Sequence, residues 1–182
     1  MSDKLQSLTQ ALLEAARKAG AESADALAVE GTSVSIDIRA GKLEQAERSE
    51  ATEIGLRVLI GGRQACVSAS DTSPATLARL AERAVAMARE APSDPYAGLA
   101  DAEQIARDWD LAALELAEDA PEPSAAALEE KARAAEAAAM SVAGITQVEA
   151  SAGYGRRQVH MAASNGCFGG YERNSHSVSA VA

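Results

Sequence analysis

Residues 54–70 read IGLRVLIGGRQACVSAS, and their spacing decides the fold. Ile54, Leu56, Val58 and Ile60 take every second position, which turns one side of an extended chain to a core and the other to water. Gly61-Gly62 can adopt the positive φ angles of a two-residue hairpin, so Arg63–Ser70 returns as the paired strand. Upstream, Val34, Ile36 and Ile38 alternate with Ser35, Asp37 and Arg39. Ala40-Gly41 offers a tight turn into Leu43–Arg48, giving four strands in an antiparallel meander.

Helical periods flank this meander. Leu5, Leu8, Leu12, Leu13 and Ala16 fall on one helical face, and Gly20 is placed to end it. Ser73-Pro74 starts a second helix, with Ser73 capping and Pro74 pre-set for the first helical position. Its stripe is Leu77, Leu80, Ala81, Ala84, Val85 and Ala88, and Ala91-Pro92 ends it. Residues 92–123 carry Pro92, Pro95, Pro121 and Pro123 and read as a connector with a short helix at 110–119. Ser124 opens an Ala-rich helix to about Val142, with Leu128, Ala132, Ala135 and Ala139 on its face.

Residues 147–182, QVEASAGYGRRQVHMAASNGCFGGYERNSHSVSAVA, predict two strands, a glycine-rich turn and a third strand still alternating at Ala182. Arg156-Arg157 reads as a solvated hairpin tip. The unfinished strand predicts a longer protein. The expected fold is α+β, with helices packed on a curved antiparallel sheet. Its parts are 1–91, 92–123 and 124–182, together one N-terminal domain.

Charge narrows the function. The 182 residues hold 17 basic and 27 acidic side chains, a net charge of -10, which repels phosphate backbones and anionic membranes. Only 3% of residues are aromatic, too few for a base-stacking surface. Direct nucleic-acid binding and membrane association are not expected. Glu14, Arg17 and Lys18 lie inside the first helical pattern, unlike the apolar run of a signal peptide, and no segment approaches a membrane span. Cys66 and Cys167 form no disulfide framework or zinc spacing and read as reduced thiols of a cytoplasmic protein.

No active site is complete in the residues. His160 and His176 lie in strands without an HExxH-type pairing and read as solvated or hydrogen-bonded strand residues. Cys167 and His176, nine residues apart across a turn, lack an orienting third group. Ser164-Asn165-Gly166 reads as a turn in which Asn165 and Gly166 supply left-handed φ values. No helix follows Gly166, Gly169 and Gly170 to cradle a phosphate. The acidic runs Glu115–Asp119 and Glu129-Glu130 read as solvated helix faces.

Three motifs together resemble one family. Ile54–Arg63 is similar to the GLRVxxGGR hairpin of the TldD/PmbA family, labelled modulators of DNA gyrase and counted as peptidases. Asp94-Pro95-Tyr96-Ala97-Gly98-Leu99 resembles its DPYxGL connector. Ser164-Asn165-Gly166 followed by Gly169–Ser177 is similar to its SNGFxGxYxRTSHS segment, nearest the PmbA (TldE) branch. Cys167 intervenes before Phe168, and Asn174 stands where Thr is common.

The resemblance covers the N-terminal part of a family whose members are more than twice as long. It implies a PmbA-like subunit without metal ligands, paired as a heterodimer with a TldD-like metal-bearing subunit. Peptides or unfolded proteins would be the substrate. No cofactor is expected in this chain; zinc is expected in the partner or beyond residue 182. One alternative is the N-terminal region of the metal-bearing subunit itself, in which a distal zinc activates water. Another is a freestanding regulatory domain acting on gyrase. The region Gln158–Ser179 is then a candidate peptide or partner surface, with Asn165, Tyr171 and His176 as contacts. The plainer role for these residues, which the usual use of Asn-Gly turns favours, is to set turn and strand register.

Overall fold

A computed structural model describes residues 3–106 and 109–182. Its elements run α1 (Asp3–Ala19), β1 (Ser23–Arg39), β2 (Lys42–Ile60), β3 (Arg63–Ala69), α2 (Pro74–Glu90), a 3-10 turn (Ala102–Gln104), α3 (Ala125–Met140), β4 (Glu149–Ala163) and β5 (Phe168–Val181). The strands form one sheet in the order β3-β2-β1-β4-β5. The fold is α+β, as the alternation at 54–60 predicts.

Neighbouring strands run antiparallel. β2 pairs with β3 from Ile54↔Ala69 to Ile60↔Arg63 across the Gly61-Gly62 turn, whose φ values are 55° and 71°. Between β1 and β2, Ala40 and Gly41 turn at φ 50° and 68°, an Ala in a conformation that glycine reaches more cheaply. Ser164 N–H, just past β4, donates to the Ala24 carbonyl at 2.8 Å, while Gly153 approaches the Val34 carbonyl. β4 and β5 form a hairpin closed by Ala163 N–H donating to the Cys167 carbonyl at 2.7 Å.

Contacts divide the chain into two units. The first comprises Met1–Glu30, Ala51–Leu114 and Gln158–Glu172. Leu5, Leu12 and Ala16 of α1 meet Leu77, Leu80 and Ala84 of α2 and the inward residues Ala24, Ala26, Ile54, Leu56 and Val58. Each Leu buried there contributes about 2 kcal/mol of transfer free energy. Ser73 caps α2 as expected, its hydroxyl accepting from Thr76 N–H. The second unit comprises Gly31–Glu50, Glu115–Arg157 and Arg173–Ala182. Val34, Ile36 and Ile38 pack with Leu128, Ala132, Ala152 and Tyr154.

Several expectations are corrected. The strands expected at 43–48 and 54–60 are one strand, β2. Its first ten residues are exposed, so no apolar side marked them. β1 begins at Ser23 because Ala24, Ala26 and Ala28 alternate inward, and methyl side chains give little periodic signal. Arg156-Arg157 is no hairpin tip but lies inside β4, so residues 149–182 make two long strands rather than three.

No helix forms over 110–119. Asp110 Oδ1 accepts from Ala112 N–H and Ala113 N–H at 3.0 and 3.2 Å, and Glu115 turns through φ 48°. The expected connector 92–123 also contains residues 107 and 108, which lie outside the described residues. On α3, Leu128 and Ala132 are buried as expected, but Ala135 and Ala139 are only half-buried and the third buried position is Glu136.

Candidate functional site

The β4–β5 hairpin places the expected contact residues. At its turn only Gly166 is left-handed, with φ 86°; Asn165 is not. Asn165 acts through its carboxamide instead. Oδ1 accepts from Cys167 N–H at 3.1 Å, and Nδ2 donates to the Ala100 carbonyl at 2.8 Å. The Ser164 hydroxyl accepts from Ala24 N–H at 3.0 Å. The polar side chains of this turn thus hold backbone groups of β1 and the connector.

Tyr171 stands on β5 and is 41% exposed. His176, further along β5, packs its ring on Tyr154 with centroids 5.1 Å apart and planes inclined by 58°. Its Nε2 lies 3.8 Å from Glu118 Oε2. Asn165 and Tyr171 belong to the first unit and His176 to the second.

His160 is buried, with Nδ1 2.9 Å from the Thr9 hydroxyl oxygen, the hydrogen-bonded form of the reading above. Burial alone lowers its pKa. Cys66 and Cys167 are both free thiols. Among the described residues no group of three or more His, Cys, Asp or Glu side chains is placed to hold a metal ion. No helix among them is long and apolar enough to cross a membrane.

β5 is the last strand on its side of the sheet. Phe168, Val178 and Val181 are more than half exposed along it. Such a strand offers main-chain donors and acceptors to an added extended segment. Two glycines tighten its start. A Cβ at Gly170 would stand 2.4 Å from the Val159 carbonyl oxygen, and one at Gly169 would meet the Trp109 ring at 2.3 Å.

A concavity of about 520 Å³ lies in the first unit, lined by Asp25, Leu27, Arg57, Cys66, Arg83 and Met87 among others. Arg57 Nε donates to Asp25 Oδ2 at 2.7 Å within it. The sequence reading missed it. Its signal was the set of positions interleaved with the inward residues of β1 to β3.

Comparison with known proteins places this geometry. The family model described as PmbA/TldA metallopeptidase domain 1 matches residues 24–88, and the PmbA/TldA metallopeptidase central domain matches residues 118–182. Metalloprotease PmbA of Escherichia coli O157:H7 is 33% identical over 150 residues, covering 81% of this chain and 33% of that protein. The chain thus spans about a third of that curated relative's length.

Two solved structures share the fold. A candidate modulator of DNA gyrase from Bacteroides thetaiotaomicron superposes with TM-score 0.80 and 22% identity, over 98% of this chain and 41% of that one. TldE from Thermococcus kodakarensis superposes with TM-score 0.75 and 15% identity, over 94% of this chain and 38% of that one.

Proposed function

Since this chain belongs to the PmbA/TldD metallopeptidase family, we propose that it is the N-terminal region of a PmbA-like, TldE-like subunit. In this reading it carries no catalytic metal and pairs with a metal-bearing TldD-like subunit in the cytoplasm. The pair acts on peptides or unfolded proteins. Identity of 33% to Metalloprotease PmbA supports the choice of branch.

The donor groups among the described residues do not fit a metal. In this reading zinc comes from the metal-bearing partner. What this chain supplies is a surface. The observation that carries the reading is the place of β5 at the end of the sheet, with Tyr171 on the strand and His176 propped on Tyr154. An edge strand pairs with main chain, which every unfolded sequence has.

The test uses the full-length native protein mixed with its metal-bearing partner and reduced, carboxymethylated casein as probe. Turnover should require both proteins, vanish with a chelator, and fall in Tyr171→Ala and His176→Ala. Full turnover by the partner alone overturns the subunit role. Unchanged turnover with unchanged assembly in both variants overturns the role of β5.

A further inference from the structure

The free edge of β5 already has an occupant. Across the hairpin, Gln158 faces Glu172 and Gly155 approaches Ser175, so pairing numbers sum to a constant. Ala163 N–H bonds to the Cys167 carbonyl, so the odd residues of β5 turn their N–H groups toward β4 and the even ones turn theirs away. Asn174 is even. Its N–H donates away from β4, to the Leu116 carbonyl at 3.2 Å.

The Asn174 side chain completes the contact. Oδ1 accepts from Glu118 N–H at 3.0 Å, and Nδ2 donates to the Glu118 carbonyl at 3.0 Å. In a parallel ladder one residue donates to a carbonyl on the neighbouring strand and accepts from the N–H two residues further on. Asn174 makes that pattern with Leu116 and Glu118, its carboxamide oxygen standing in for its own carbonyl. The connector segment 116–118 is therefore docked as a short parallel addition to the sheet. A hydroxyl side chain in place of Asn174 could not donate and accept in this two-point way.

Beyond these bonds the Glu118 carboxylate lies 3.8 Å from His176 Nε2. Ala117, Glu118 and Asp119 are exposed, and Leu116 is only half-buried. Just before it Glu115 sits at φ 48°, a left-handed conformation that non-glycine residues resist. Three hydrogen bonds with almost no apolar burial make a contact that opens readily.

We propose that Leu116–Glu118 is a removable strap, clamped by Asn174 on the edge of β5 and competing there with an incoming extended peptide. This rests on the peptide-binding reading of that edge. The carboxamide recognises a backbone N–H and C=O irrespective of side chains, so it can hold the strap or the peptide, one at a time.

Glu118→Pro in the full-length native protein tests the proposal. It deletes the clamped N–H, and with it the Glu118 carboxylate near His176, while changing no residue of β5. The Asn174 amide should then exchange hydrogen at least about ten-fold faster. A fluorescein-labelled heptapeptide of alternating Thr and Val should bind several-fold more tightly than to the unmodified protein. Asn174→Ala should accelerate exchange at the Glu118 amide to a similar degree, a check that does not depend on tolerance of proline.

Unprotected exchange at both amides in the unmodified protein overturns the strap. Equal peptide affinity before and after Glu118→Pro overturns the competition while leaving peptide binding at the edge intact. Binding by neither protein overturns both.

Discussion

Thr9 of α1 and His160 of β4 meet in the interior, hydroxyl oxygen to Nδ1 at 2.9 Å, both buried. The Thr9 hydroxyl donates to the Gln6 carbonyl at 2.9 Å, which leaves its lone pair for a proton carried on His160 Nδ1. Thr9→Val therefore strands a buried N–H and should cost about 1–3 kcal/mol in urea unfolding.

The same pair sets a pH dependence. Burial lowers the His160 pKa from the usual 6.5, so the unfolded chain takes up its proton first as pH falls. The stabilising contribution is whole above about 6.5 and shrinks below it. Calorimetry should show Tm falling from pH 7.5 to 5.5, and His160→Gln should flatten that fall.

Asp71 works in the opposite window. Its carboxylate accepts from the Thr76 hydroxyl first, then from Ser73 N–H and Oγ, and its pKa lies below the usual 3.8. A depressed carboxyl stabilises above its unfolded pKa and ceases to as pH falls through the folded one. Asp71→Ala should lower Tm more at pH 7 than at pH 2.5.

Glu136 is the polar member of the buried face of α3. Both carboxylate oxygens accept from Gly41 N–H, at 3.1 and 3.0 Å, and fix the β1–β2 turn. Charge-assisted hydrogen bonds run about 1.5–3 kcal/mol. Glu136→Ala should destabilise by about 2 kcal/mol in denaturant titration, with Glu136→Gln closer to the native value.

Gly170 and Gly169 should separate under substitution. Gly170→Ala forces a methyl against the Val159 backbone, whereas the atoms nearest the Gly169→Ala methyl are those of the Trp109 ring, a side chain able to move. The first should cost more than about 2 kcal/mol and the second less, read from paired Tm shifts.

The alternation of Ile54, Leu56 and Val58 made the sheet legible in the sequence, and Ser73 and Ser124 marked two helix starts. Strand signal failed wherever both sides were wet or small. The exposed start of β2 and the small residues Ala24, Ala26 and Ala28 give no apolar period to read. Arg156-Arg157 looked like a tip because charge in mid-strand carries no apolar period. Asn165 and His176 could be named from their motif. Their partners Ala100 and Tyr154 could not, because long-range pairing is decided by register. Asn174 read as a minor change of residue, and only its geometry with Glu118 gives it a task.

The two units have a consequence for how the chain is made. The first is assembled from three separate stretches, the last of them Gln158–Glu172, and the second also draws on three, ending at Ala182. A ribosome delivers residues in order at about 5–20 per second. The apolar core of the first unit, Leu5 to Ala88, is complete before β4 emerges, whereas that of the second waits for Ala152 and Tyr154. Until then Val34, Ile36 and Ile38 lack that cover, and nascent chains halted before Ala152 should be the ones that chaperones retain.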